Sequence, residues 1–286
     1  MPEVTSPPMV TLNAMQLIEE KLLYWKEGYA IVRNIFSADE MKILEAQILN
    51  SSWLKYQNAV LGTMNKNGGW GGGFASLNVT NECTGDDAFS LASRSFRILD
   101  RSSRYYDDDV YCYHNKISAK PTGAKGFQPH QDFGGYWKNM GNDFPDPHAV
   151  FIAITPCDKT NGGIQVVPGS HLLGPLPHTP GAPDSGLVED SWREILAKGY
   201  APVDVELAPG DGVFFHGNTI HLSGVNHSAT TRIGYVVTLN TQRSSPRESE
   251  NFCKHPTYTR MNRFYGTIDA SHAAGPPNPF FGDKRS

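Results

Sequence analysis

Gln128-Pro129-His130-Gln131-Asp132-Phe133-Gly134-Gly135-Tyr136-Trp137 is the stretch on which the reading of this chain turns. His130 and Asp132 stand two residues apart. In an extended strand, positions i and i+2 point to the same face, so an imidazole and a carboxylate are expected side by side. Such a pair supplies two of the three ligands of the 2-His-1-carboxylate facial triad, which holds non-haem Fe(II) and leaves coordination positions open. His-x-Asp alone is a common pair, and a remote histidine has to complete the set.

The C-terminal half offers one. Gly210-Asp211-Gly212-Val213-Phe214-Phe215-His216 leads to Thr219-Ile220-His221-Leu222-Ser223-Gly224, then to Asn226, Ser228 and Arg232. His216 precedes His221 by five residues, an odd spacing that turns it to the opposite face and marks it as structural. His148, His171, His178, His227, His255 and His272 have loop contexts and are not expected as ligands.

Further matches lie between the two halves: Asn161-Gly162-Gly163-Ile164-Gln165-Val166-Val167-Pro168-Gly169-Ser170-His171, and Pro209-Gly210-Asp211 before an apolar strand. With His130-x-Asp132, His221-x-Ser223-Gly224-x-Asn226-x-Ser228 and Arg232, the chain from about Tyr29 to Asn240 resembles the phytanoyl-CoA dioxygenase family of Fe(II)/2-oxoglutarate oxygenases. The resemblance implies His130, Asp132 and His221 as iron ligands. Arg232 would hold the far carboxylate of 2-oxoglutarate, a task suited to a bidentate and always charged guanidinium. Ser223 faces the same way as His221 and is expected to donate to that carboxylate. In the family the strand before His-x-Asp lines the cosubstrate pocket, which puts Lys116 near an acidic group there. The implied reaction consumes O2, converts 2-oxoglutarate to succinate and carbon dioxide, and hydroxylates an unactivated C–H bond. Desaturation, ring formation and epoxidation share that chemistry. Halogenases of the wider superfamily replace the carboxylate ligand with a small residue, so Asp132 argues against halogenation.

The chain has 286 residues, enough to bury a sizeable core in one domain spanning 1–286. Its 28 glycines and 20 prolines suit many short strands joined by turns. A net charge of −4 gives no footprint for nucleic acid. No apolar run reaches the length of a membrane span, and Met1 to Pro8 lack the regions of a signal peptide. Cys83, Cys112, Cys157 and Cys253 are scattered, as expected of reduced thiols in a cytoplasmic protein.

In order, a helix is expected from Asn13 to Glu27 with a stripe of Leu17, Ile18, Leu22 and Trp25, ended by Gly28. Tyr29 to Val32 reads as a strand. Ser37-Ala38-Asp39-Glu40 is a capping box for a helix that buries Met41, Leu44 and Ile48. A helix follows from Asp86 to Tyr106, then Asp107-Asp108-Asp109, a solvated turn or a cation site. Val110 to Lys120 alternates as a strand with His114, Lys116, Ser118 and Lys120 on one face. Ala149 to Ile154, Ile164 to Val167, Val203 to Leu207, Gly212 to Phe215 and Ile233 to Leu239 read as further strands, with a short helix at 188–198. The fold class is therefore mainly β: a double-stranded β-helix, or jelly roll of cupin type, with a core at 29–240. Helical N-terminal support lies at 13–50 and an irregular tail at 241–286.

The substrate is read from fewer residues. Tyr136 and Trp137 follow the metal motif closely, and Trp70 and Phe74 lie in a glycine-rich run, 65–74, that reads as a surface loop or a lid. Aromatic faces suit a cationic or quaternary ammonium group, while Lys116 or Arg33 suits an anion. A small zwitterion, such as an aminoethylphosphonate or a betaine-like compound, meets both. Trp137-Lys138-Asn139-Met140-Gly141 departs from the run that follows the aspartate in ectoine hydroxylases. A reading from another class is a cupin-like module that binds a small molecule without turnover, for which the cosubstrate anchor Arg232 would have no use. Oligomeric state is left open.

Overall fold

The computed structural model describes residues 13–50, 75–78, 85–135, 137–142, 144–179, 186–246 and 258–273. The elements follow as α1 (Ala14–Glu27), β1 (Tyr29–Val32), α2 (Ala38–Asn50), β2 (Ala75–Asn78), α3 (Ala88–Ser93), α4 (Phe96–Tyr106), β3 (Val110–Lys120) and a helical turn α5 (Asp132–Gly135). Then come β4 (His148–Ala153), β5 (Ile164–Val166), α6 (Glu189–Ala197), β6 (Val203–Asp204), β7 (Gly212–His216), β8 (His221–Ser223), β9 (Arg232–Thr241) and α7 (Ala270–Ala273). The strands form two antiparallel sheets, β1-β7-β4-β9-β3-β2 and β6-β5-β8. This is the jelly roll expected.

Pleating decides what each sheet buries. In β4, Ala149, Phe151 and Ala153 face the small sheet, joining Ile164, Val166, Val205, Leu207, Val213, Phe215 and Val236 in an inter-sheet core. Val150 and Ile152 face the other way and pack with Phe214, Tyr235 and Val237 against Tyr24, Met41, Leu44 and Leu99 of the helices. A strand covered on both faces reads as an unbroken apolar run, which is what Ala149 to Ile154 shows.

The helices differ from expectation in two places. Around α1 the buried residues are Leu17, Glu20 and Tyr24, while Ile18 and Leu22 are exposed. Glu20 turns inward because Arg101 Nε donates to its carboxylate at 2.9 Å and Tyr105 Oη at 3.2 Å. A buried charge is tolerated when paired and hydrogen-bonded, so the apolar stripe misleads here. The helix expected over 86–106 is also interrupted. Ser95 caps α4, and the C-terminal tail inserts at the break: Phe96 N–H donates to the Phe264 carbonyl and Phe264 N–H to that of Arg94. The capping box is present, with Ser37 N–H donating to Glu40 Oε2 and Glu40 N–H to Ser37 Oγ. The three aspartates bind protein groups: Asp107 pairs with Lys21, Asp108 accepts from Arg243 N–H, and Asp109 accepts from Tyr258 Oη and Arg263. Cys112 and Cys157 are buried; Cys83 and Cys253 lie outside the described residues. Among the described residues no helix is long and apolar enough to cross a membrane.

His148, His171 and His216 cluster under α1, with His171 and His216 ring centroids 5.5 Å apart and His148 stacked on Tyr106 at 4.4 Å. Burial is the main cause that pushes His148 down to about 4 and His216 to about 3, and it lowers His171 as well. These rings are neutral in the folded chain and protonate near 6.5 once unfolded. Their contribution is complete above that value and is lost as pH falls toward the folded values. Each proton bound only by the unfolded chain costs about 1.4 kcal/mol per pH unit. The denaturant midpoint is therefore expected to drop clearly between pH 7.5 and pH 5; a flat profile would contradict neutral burial.

Candidate metal centre

His221 opens β8, and a reciprocal bridge ties it to the distant motif: His130 N–H donates to the His221 carbonyl at 3.0 Å, and His221 N–H returns the bond at 2.9 Å. Two residues ninety-one positions apart are thus fixed backbone to backbone, their rings 4.0 Å apart. Asp132 arrives differently from the expected strand. It starts α5, with Phe133 N–H donating to the Gly217 carbonyl. Its carboxylate still reaches the pair, Oδ1 lying 3.9 Å from His130 Nε2 and 3.8 Å from His221 Nε2.

Gln131, between His130 and Asp132, fixes that bend. Its side-chain amide donates to the Gly174 and Asn218 carbonyls and its oxygen accepts from Leu176 N–H, while its backbone N–H donates to His178 Nε2. The turn is clipped to two neighbouring loops, so His130 and Asp132 keep their aim without a strand.

The donor set fits a divalent transition metal. Each histidine spends Nδ1 on a backbone carbonyl, His130 on Gln128 at 2.8 Å and His221 on Thr219 at 3.1 Å. The Nε2 lone pairs are left to face Asp132, the arrangement in which the second-shell bond sets the tautomer. Burial, with His221 next, pushes His130 down to about 4, and burial also lowers His221. The two imidazoles hold Asp132 below the usual carboxylate range against the opposing effect of burial. Two imidazoles and one carboxylate, with donor atoms within 4.8 Å of one another, could hold a metal ion and match the donor types of a 2-His-1-carboxylate facial triad.

Beside the triad lies a cradle of buried cations. Arg232, first residue of β9, sits opposite Lys120, last of β3. Arg232 Nη1 donates to the Gly162 carbonyl at 3.3 Å and Nη2 to Ser118 Oγ at 3.0 Å, with the guanidinium 5.2 Å from the Phe151 ring centroid. Lys120 Nζ donates to the Gly162 and Gly224 carbonyls and to Ser223 Oγ at 2.8–2.9 Å. Burial, then Arg232, pushes the Lys120 ammonium down to about 7. Among the described residues no carboxylate pairs with either cation. Gly162 explains the Asn-Gly-Gly turn: its φ is +69°, and a Cβ there would stand 2.6 Å from the Gly224 carbonyl oxygen and 2.9 Å from Lys120 Cδ. Asn226 holds the following turn through bonds to Lys120 O and Thr230 O.

The expected site residues divide. His130, Asp132, His221, Arg232 and Ser223 are brought together. Ser223 accepts from Lys120 and from Phe127 N–H, leaving its own O–H to donate. Lys116 is half-buried on the interior face of β3, and its charge is felt at the triad; Lys120, not Lys116, adjoins Arg232. Arg33 is a correction: its guanidinium pairs with Asp211 at 2.7 Å and the Glu206 carbonyl at 2.8 Å, bracing the entrance to β7. Trp137 is buried in a cluster with Tyr111, Tyr113 and Phe133. Trp70, Phe74 and Tyr136 lie outside the described residues. Lys120 was the omission, though its place on the Lys116–Ser118 face was readable from the alternation.

A family model described as "Phytanoyl-CoA dioxygenase (PhyH)" matches residues 24–234. The ectoine dioxygenase of Streptomyces coelicolor is 29% identical over 165 residues, 54% of this chain and 55% of that protein. The chain thus spans little more than half the length of the Streptomyces ectoine dioxygenases it matches. The L-proline trans-4-hydroxylase of Streptomyces griseoviridis is 24% identical over 250 residues, 80% of this chain and 88% of the relative. In shape the chain is similar to EctD from S. alaskensis, solved with 2-oxoglutarate and 5-hydroxyectoine, with a TM-score of 0.64 at 18% identity over 91% of this chain and 90% of that one.

Proposed function

The chain belongs to the phytanoyl-CoA dioxygenase family, and on that premise we propose that it is an Fe(II)- and 2-oxoglutarate-dependent dioxygenase hydroxylating an unactivated C–H bond of a small molecule. One observation carries this reading. A neutral-imidazole and carboxylate triad stands beside two buried cations that have no carboxylate partner among the described residues. Buried charges are normally paired. An anionic cosubstrate reaching from the metal to the cradle supplies the partner, whereas a binding module without turnover needs no such anchor.

When bound, iron and 2-oxoglutarate would serve to activate O2, the oxidant, whose two oxygen atoms would end in succinate, formed with carbon dioxide, and in the hydroxylated product. The chain supplies position. His130 and His221 present fixed Nε2 lone pairs, and Asp132 adds one negative charge. Arg232 and Lys120 receive the far carboxylate, with Ser223 donating its hydroxyl proton. Ser223 and His221 are two residues apart on β8, about 7 Å between Cα atoms, a spacing that a five-carbon diacid bridges. The Phe215 ring lies 4.7 Å from that of His221 and the Phe127 ring 5.8 Å from that of His130, giving the triad an apolar flank. A small zwitterion, such as an aminoethylphosphonate or betaine-like compound, is the substrate class this reading favours.

The test is O2 uptake with iron-loaded protein and 2-oxoglutarate. Succinate is expected in proportion to O2, slowly alone and faster with a substrate from a panel of zwitterions, amino acids and lipid-like acids. Iron-loaded protein that forms no succinate under any condition would favour the binding module instead.

A further inference from the structure

The interior face of β3 carries more charge than the proposed cosubstrate uses. Lys120, Ser118, Lys116 and His114 alternate along it, and the register is regular from His114 to Lys120, the strand's only shift lying between Cys112 and His114. Ser118 Oγ accepts from Arg232, and Val236, which faces Lys116 across the β3–β9 ladder, lies in the inter-sheet core. This face therefore points into the barrel. Its deep end, Lys120 and Ser118, is buried, while Lys116 and His114 are half-buried toward the opening. Ser118 and Lys120 already have hydrogen-bond partners; among the described residues no hydrogen bond or ion pair engages Lys116 Nζ.

A charge count over the described residues shows what is missing. Iron(II) and the 2-oxoglutarate dianion cancel. Asp132 offsets one of the three cations Lys116, Lys120 and Arg232. A positive excess remains even though burial draws the Lys120 ammonium down to about 7, and Lys116 is the one of the three without a hydrogen-bond or ion-pair partner among the described residues. Resting on the oxygenase reading above, we propose that Lys116 is a specificity-determining residue whose ammonium receives the oxyanion of the primary substrate, a carboxylate or phosphonate on a small molecule. The anionic end of the substrate is thereby anchored, and the C–H bond to be attacked is carried on the same molecule over the triad.

The experiment uses the full chain loaded anaerobically with Fe(II) and 2-oxoglutarate. Calorimetric titrations compare 2-aminoethylphosphonate, glycine betaine and L-proline, together with methylphosphonate and acetate as minimal anions, against L-prolinamide and dimethyl methylphosphonate as partners lacking the oxyanion. Wild type is set beside Lys116→Met, Lys116→Arg and Lys116→Glu. At least one oxyanion is expected to bind wild type about tenfold or more tightly than Lys116→Met, the worth of one charge-assisted hydrogen bond. Lys116→Arg is expected to keep most of that affinity and Lys116→Glu to lose it, while the compounds lacking an oxyanion bind all four proteins alike. If no oxyanion separates wild type from Lys116→Met, the assignment of Lys116 is wrong. It is equally wrong if Lys116→Met weakens 2-oxoglutarate itself, since Lys116 would then serve the cosubstrate. Both results are distinct from failure of the oxygenase reading, in which wild-type protein gives no visible 2-oxoglutarate-to-iron charge-transfer band at all; that band is also the folding control for every variant.

Discussion

His221→Ala protein is expected to fold, bind Fe(II) more than about a hundredfold more weakly than wild type, and form no succinate. Loss of a group that only orients a ligand already costs ten- to a hundredfold in metal affinity, so loss of a ligand sets a larger effect. The fold survives because the contact joining the two halves of the site is made by backbone. The His130–His221 bridge and the β5–β8 pairing use N–H and C=O groups that alanine retains. Equilibrium dialysis of iron and circular dichroism separate the two effects. Wild-type iron affinity in a folded variant would remove His221 from the ligand set.

Arg232→Ala gives the second large effect, of a different kind. Iron loading is expected to stay near wild type, since Arg232 touches Gly162, Ser118 and the Phe151 face rather than any triad residue. Affinity for 2-oxoglutarate should fall by between about thirtyfold and a few thousandfold, which is the ~2–5 kcal/mol lost on truncating one partner of a buried, hydrogen-bonded charge pair. Arg232→Lys should recover only part of it, because an ammonium cannot make the bidentate fork. The readout is the 2-oxoglutarate concentration that half-saturates succinate release. An unchanged value would mean that the cosubstrate lies elsewhere.

Much of this architecture is legible in the sequence because period-2 alternation and turn residues are local signals. β4 reads as a doubly covered strand, Ser37 to Glu40 as a cap, and Gly28 as a helix stop, and each is where pattern and backbone agree. The triad could be read because its residue types are specific, although the geometry first inferred for it was wrong. Asp132 opens a helical turn, and what brings it to His130 is the Gln131 clip rather than a strand pleat. No pairwise spacing encodes that clip. The same limit explains Glu20 and Arg33. A lone charge in a sequence does not announce the partner that turns it inward, such as Arg101, or claims it elsewhere, such as Asp211. Lys120 was hidden for the opposite reason. The alternation gives its face, but one lysine among several looks like surface, and its burial opposite Arg232 shows only in the β3–β9 register.

The central claim is that one site gathers a ferrous ion and a dicarboxylate, and anaerobic visible spectroscopy tests it most directly. Adding 2-oxoglutarate to protein loaded with one Fe(II) is expected to produce a weak charge-transfer band that saturates at one equivalent and is absent in His221→Ala. A protein that holds iron yet shows no band at any 2-oxoglutarate concentration would contradict the claim.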